Sequence, residues 1–157
     1  MSAAKKQFKY YWEDFPVGTV REFGSFTFNK EEIVRFARQY DPQPFHVDEE
    51  AAKHTVFGGL IASGWQTCGA AMRMMCDEYL LDSASAGSPG VEFIRWTAPV
   101  RPGDTLRMKL TVLEARVLNS KPHIGLLRNK WELFNQNGEQ VMHMEGYGMF
   151  LRRDHPG

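Results

Sequence analysis

Leu60-Ile-Ala-Ser-Gly-Trp-Gln-Thr-Cys-Gly-Ala-Ala-Met-Arg-Met-Met-Cys-Asp-Glu-Tyr-Leu-Leu81 is the stretch that decides the fold. It follows a Gly58-Gly59 break and reads as one long helix of mostly apolar and small residues. A helix this apolar is wrapped on several sides rather than laid on a surface. Glycine within a helix costs about 1 kcal/mol relative to alanine. Gly64 and Gly69 therefore predict close approach by another backbone or a ligand.

Downstream, after the Ser83–Gly90 loop, the pattern changes to strands. Val91–Trp96 reads as one, and Pro102-Gly103-Asp104 as a turn. Thr105–Val117 alternates, with Leu106, Met108, Leu110, Val112 and Leu113 apolar. Ile124–Phe134 and Gln140–Leu151 are joined by Asn135-Gln-Asn-Gly138, a hairpin signal. Upstream, Thr19–Phe28 reads as a first strand with Val20, Phe23, Phe26 and Phe28 as inward candidates. Asn29 is placed to cap a helix carrying Ile33, Val34, Phe36, Ala37 and Tyr40 at helical spacing. That helix stops at Asp41, because Pro42 disfavours helical dihedrals in the residue before it. Pro44 is expected to keep the next residues extended, and Asp48 to cap a short helix, Glu49–His54. One strand, a helical middle and about four antiparallel strands make an α+β chain: a curved sheet around one central helix.

The chain has 157 residues, with 19 basic against 19 acidic side chains and 43% hydrophobic residues. That fits a single domain over 1–157, with residues 1–10 as a flexible start. The charge balance and lack of a basic run argue against nucleic acid as a partner. No apolar run approaches the roughly 20 residues that cross a bilayer, and the first residues lack the apolar core of a secretory leader. Cys68 and Cys76 are eight positions apart on the same helix. That is about 12 Å, too far for a disulfide, so a reducing cytoplasm is the expected setting.

The densest site-like segment is Tyr40-Asp41-Pro42-Gln43-Pro44-Phe45-His46-Val47-Asp48. A turn between its two prolines would bring Asp41 and His46 to one point, where a straight strand would separate them. A carboxylate and an imidazole can together take a proton from water and return one to carbon. On spacing alone a solvated Asp-Pro turn is the plainer reading. The Gly58–Gly64 segment adds unpaired amides at a helix start, a place to stabilise an oxyanion.

These residues, Tyr40, Asp41-Pro-Gln-Pro-Phe-His46-Val-Asp48 and Phe57-Gly-Gly-Leu-Ile-Ala-Ser-Gly64, resemble the MaoC-like, R-specific enoyl-CoA hydratase family. Its motif runs aromatic, Asp-x-Asn-Pro-x-His-x-Asp, then a Phe-Gly-Gly-x-Ile-Ala-His-Gly helix start. Phe93-Ile-Arg-Trp-Thr-Ala-Pro-Val-Arg-Pro-Gly-Asp104 resembles a further signature of it, and the likeness spans about residues 12–150. The resemblance implies a hotdog fold and a hydratase/dehydratase working on acyl-CoA. Asp41 and His46 would activate water for syn addition across a trans-2-enoyl thioester, and the Gly64 amide would receive the thioester oxygen. It implies a homodimer or dimer of dimers; no phosphate-loop or dinucleotide fingerprint appears, so no metal or other cofactor is expected, coenzyme A being part of the substrate. Gln43 replaces the usual Asn and Ser63 the usual His. With Gly64, these two are expected to face the substrate, and they point to an unusual acyl group, branched or carrying a second polar group.

Two other readings carry distinct signatures. A hotdog thioesterase places a carboxylate on or just before the central helix, and Leu60–Met75 contains no Asp or Glu. A non-catalytic acyl-thioester-binding module would need no Asp41/His46 pair. His54, His123, His143 and His155 lack metal-ligand spacing. Arg95, Arg101 and Lys121 are candidates for coenzyme A phosphates, though surface charge is the plainer reading.

Overall fold

A computed structural model of the chain describes residues 7–154. It contains one antiparallel sheet in the order β1-β3-β4-β5-β2. The strands are β1 (Val20–Thr27), β2 (Val91–Trp96), β3 (Thr105–Val117), β4 (Ile124–Phe134) and β5 (Gln140–Leu151). Helices α1 (Lys30–Tyr40), α2 (Pro44–Val47), α3 (Glu49–Lys53) and α4 (Gly64–Met75) lie between β1 and β2. This is the hotdog arrangement. Of the expected flexible start, residues 1–6 lie outside the described residues. Lys9 and Tyr10 donate backbone hydrogen bonds to the Asp82 carbonyl.

Alternation puts Leu106, Met108, Leu110 and Val112 of β3, and Leu127, Trp131 and Leu133 of β4, on the buried face. Thr67, Ala70, Ala71, Met74 and Met75 of α4 are buried as well. Gly24 lets β1 cross this helix closely: a Cβ there would sit 2.5 Å from Met74 Sδ. Register breaks at Phe23/Phe26 and Val112/Glu114 mark the irregularities of the curved sheet.

Four local expectations need correction. The central helix begins at Gly64 instead of Leu60, and its last turn, Cys76–Leu80, widens to π geometry. Leu60–Ala62 stays outside the helix, where Ile61 N–H pairs with Phe45 O and Ala62 N–H with Val100 O. Pro44 opens a helical turn instead of extending the chain; its fixed φ and missing N–H suit the first helical position. Val20, expected inward, is exposed at the edge of the sheet, and no atom lies within 4 Å of a Cβ built on Gly69. The helix is therefore covered on the sheet side but open along Trp65, Gly69 and Met72.

Candidate active site

The Asn29 side chain accepts from Glu32 N–H and starts α1, and Asp41 closes it by donating its N–H to Ala37 O. The chain then reverses: Gln43 N–H reaches Asp41 O at 2.8 Å and His46 N–H reaches Gln43 O at 2.9 Å. In extended chain the two residues would stand about 16 Å apart at roughly 3.3 Å per residue. Here Asp41 Oδ2 lies 3.2 Å from His46 Nε2.

His46 is buried, and its Nδ1 lies 2.7 Å from the Ile61 carbonyl oxygen. A carbonyl can only accept, so Nδ1 carries the hydrogen. Nε2 is then the ring atom free to exchange a proton, and it faces Asp41. Asp41 accepts from Gln43 Nε2 on Oδ1 at 2.7 Å and from Ser63 Oγ on Oδ2 at 2.8 Å. Burial acts to raise its carboxyl pKa. The hydrogen bonds from Gln43 and Ser63, with the His46 ring beside them, outweigh burial and hold it below the usual carboxylate range.

Ser63 also caps α4, its Oγ accepting from Trp65 N–H at 3.3 Å. Its carbonyl accepts from Gln66 N–H at 3.0 Å and Thr67 N–H at 3.2 Å. Among the described residues the Gly64 N–H, first in the helix, has no acceptor. The Trp96 indole lies across Gly64, and its Nε1–H donates to the Gly64 carbonyl at 3.0 Å.

Asp41, Gln43, His46 and Gly64 line one cavity of about 440 Å³. Phe45 and Phe57 contribute to its wall, as do Trp65 and Trp96 and the Thr97–Val100 segment. Ser63 lies behind it, hydrogen-bonded to Asp41. The polar groups of Gln43 and Ser63 turn to the carboxylate. Arg101 donates to the Phe57 carbonyl at 2.6 Å, Arg95 stacks on Phe93, and His143 pairs with Glu145. Among the described residues no three side chains of metal-ligand type converge. Sequence reasoning missed the Ile61 carbonyl and Trp96. The first is main chain and leaves no side-chain signal. The second stands inside a quoted motif, but only the β2–β5 register shows where its ring falls.

The chain belongs to the MaoC-like dehydratase family: the MaoC like domain matches residues 14–129. It is 34% identical over 137 residues, 85% of this chain and 93% of the relative, to the uncharacterized protein YdeM of Bacillus subtilis. It is 34% identical over 113 residues, 66% of this chain and 64% of the relative, to the 3-hydroxybutyryl-CoA dehydratase of Methylorubrum extorquens. The crystal structure of the MaoC-like dehydratase from Rhodospirillum rubrum superposes with a TM-score of 0.83 at 35% identity, covering 93% of this chain and 99% of that one.

Proposed function

We propose that the protein is a hydro-lyase interconverting a trans-2-enoyl-CoA and its 3-hydroxyacyl-CoA. The observation that carries this reading is the 3.2 Å approach of Asp41 Oδ2 to His46 Nε2 beside a free helix-start amide. A water in the cavity would donate one hydrogen to each acceptor and turn its oxygen to the substrate Cβ. His46 Nε2 takes a proton as the C–O bond forms, and the electron pair moves to the thioester oxygen. The Gly64 N–H stabilises that enolate. The proton then passes to Cα, so the sum is addition of H and OH. Asp41, ionised across the neutral range, orients the water and balances the imidazolium. A dehydratase acting on a coenzyme A thioester among the relatives supports the choice of carrier. The cavity requires no cofactor beyond coenzyme A for this chemistry. The free thiols Cys68 and Cys76 suit a reducing cytoplasm.

The test is a screen of trans-2-enoyl-CoA thioesters, linear and branched, followed by loss of enoyl absorbance and by free thiol release. Hydration without thiol release is expected. Thiol release alone would make the protein a thioesterase, and binding without either would make it a binding module.

The proposed assembly is a homodimer through the β2 edge and the open flank of α4. Trp65, Met72, Val91 and Trp96 are exposed there, with the Trp65 and Trp96 rings in edge contact. Light scattering should give twice the 18.0 kDa chain mass. Met72→Asp should shift the species toward monomer; a monomeric wild type would remove this assembly.

A further inference from the structure

We propose that Trp96, at the end of the edge strand β2, is a positioning residue that fixes the direction of the Gly64 amide toward the thioester oxygen. This rests on the hydratase reading above. Gly64 is held on two sides. Behind it, the Ser63 carbonyl is fixed by Gln66 N–H and Thr67 N–H. Ahead of it, the Trp96 Nε1–H holds the Gly64 carbonyl at 3.0 Å, while the indole lies against its Cα. With both neighbouring carbonyls fixed, the peptide plane that carries the Gly64 N–H cannot rotate freely. That N–H has no acceptor among the described residues, and Gly64 lines the cavity.

The tryptophan is itself braced. Trp65 meets it edge-on with ring centroids 5.4 Å apart, and its own backbone pairs with Met142 of β5. The sheet edge is thereby tied to the first turn of α4 where an oxyanion donor must be stiff. A preorganised donor is worth more than one that must reorient as charge develops. The effect belongs to kcat, because a carbonyl carries less charge in the bound substrate than in the enolate.

Trp96→Phe keeps a ring against Gly64 and Trp65 but loses the indole N–H; Trp96→Leu loses both. Phe should lower kcat about tenfold, the order of one net hydrogen bond, with KM within about twofold of wild type. Leu should lower it about a hundredfold, because packing is lost as well. Carbonyl infrared spectroscopy with carbonyl-13C butyryl-CoA, which cannot be hydrated, gives a readout that packing alone would not move. Its thioester stretch should fall in frequency on binding to wild type, and less so with Phe at similar affinity. Should Leu fail to fold, Phe decides alone. Wild-type turnover and carbonyl shift retained in Trp96→Phe would overturn the proposal and leave the hydratase reading standing. Wild-type hydration with no carbonyl shift would also overturn it. A wild type that neither hydrates any enoyl-CoA nor shifts the carbonyl would overturn both.

Discussion

Asp41→Asn and His46→Ala should each lower kcat/KM for enoyl-CoA hydration by about 10²- to 10⁴-fold, the range for losing a positioned acid–base group. Asn is isosteric and can still accept from Gln43 and hydrogen-bond with Ser63, so the loss would report the missing charge. His46→Ala removes Nε2 and strips the Ile61 carbonyl of its donor. It should also lower stability by about 1–3 kcal/mol, the cost of an unpaired buried group. The two side chains share one water, so their losses should not add: the double variant should sit close to the worse single one. Initial-rate assays on the three variants, with thermal melts to separate stability from chemistry, check this. Losses that multiply would mean that each residue works independently, and the shared-water geometry would have to be abandoned.

That pair stands out in the sequence through the family motif that Asp41-Pro-Gln-Pro-Phe-His46 resembles, since spacing alone favours a solvated Asp-Pro turn. Pro42 ends α1 at Asp41 as local sequence predicts, whereas Pro44 suits both an extended segment and a first helical position, so the helical turn that brings His46 back was not legible. The strands were legible for a different reason. In Thr105–Val117 the inward face of Leu106, Met108, Leu110 and Val112 shows directly as alternation. The start of the central helix was hidden. Leu60–Ile61–Ala62 is as apolar as the helix that follows, and its pairing with Phe45 and Val100, distant in sequence, takes it out of the helix. The same holds for what surrounds Asp41. The sequence does not show that the hydrogen bonds of Gln43, which lines the cavity, and of Ser63 go to the carboxylate, a choice set by how α1 and α4 meet. Val20 is exposed because β1 is an edge strand, which can leave bare an apolar side chain that a central strand would bury.

Gly64→Ala should lower kcat/KM by about 10²- to 10³-fold, although alanine keeps the backbone N–H and is the better helix former. Gly64 is not in the left-handed region, so its backbone would accept alanine without strain. Absent a neighbour, the exchange would favour the helix by about 1 kcal/mol. The neighbour reverses the sign. A Cβ at Gly64 would lie 2.4 Å from Cε2 and 2.6 Å from Nε1 of Trp96, so the indole or the helix start must move. Either movement breaks the Nε1–H bond to the Gly64 carbonyl and removes one of the two restraints on the Gly64 amide, the Ser63 carbonyl keeping its own. A double-mutant cycle isolates this cause. In a Trp96→Ala background there is room for the methyl, and Gly64→Ala should there cost less than about tenfold. Steric conflict with the indole predicts that inequality; a loss of equal size in both backgrounds would instead mean that the methyl obstructs the substrate directly. Full activity of Gly64→Ala with Trp96 present would show that the indole yields without consequence, and that the amide needs no such support.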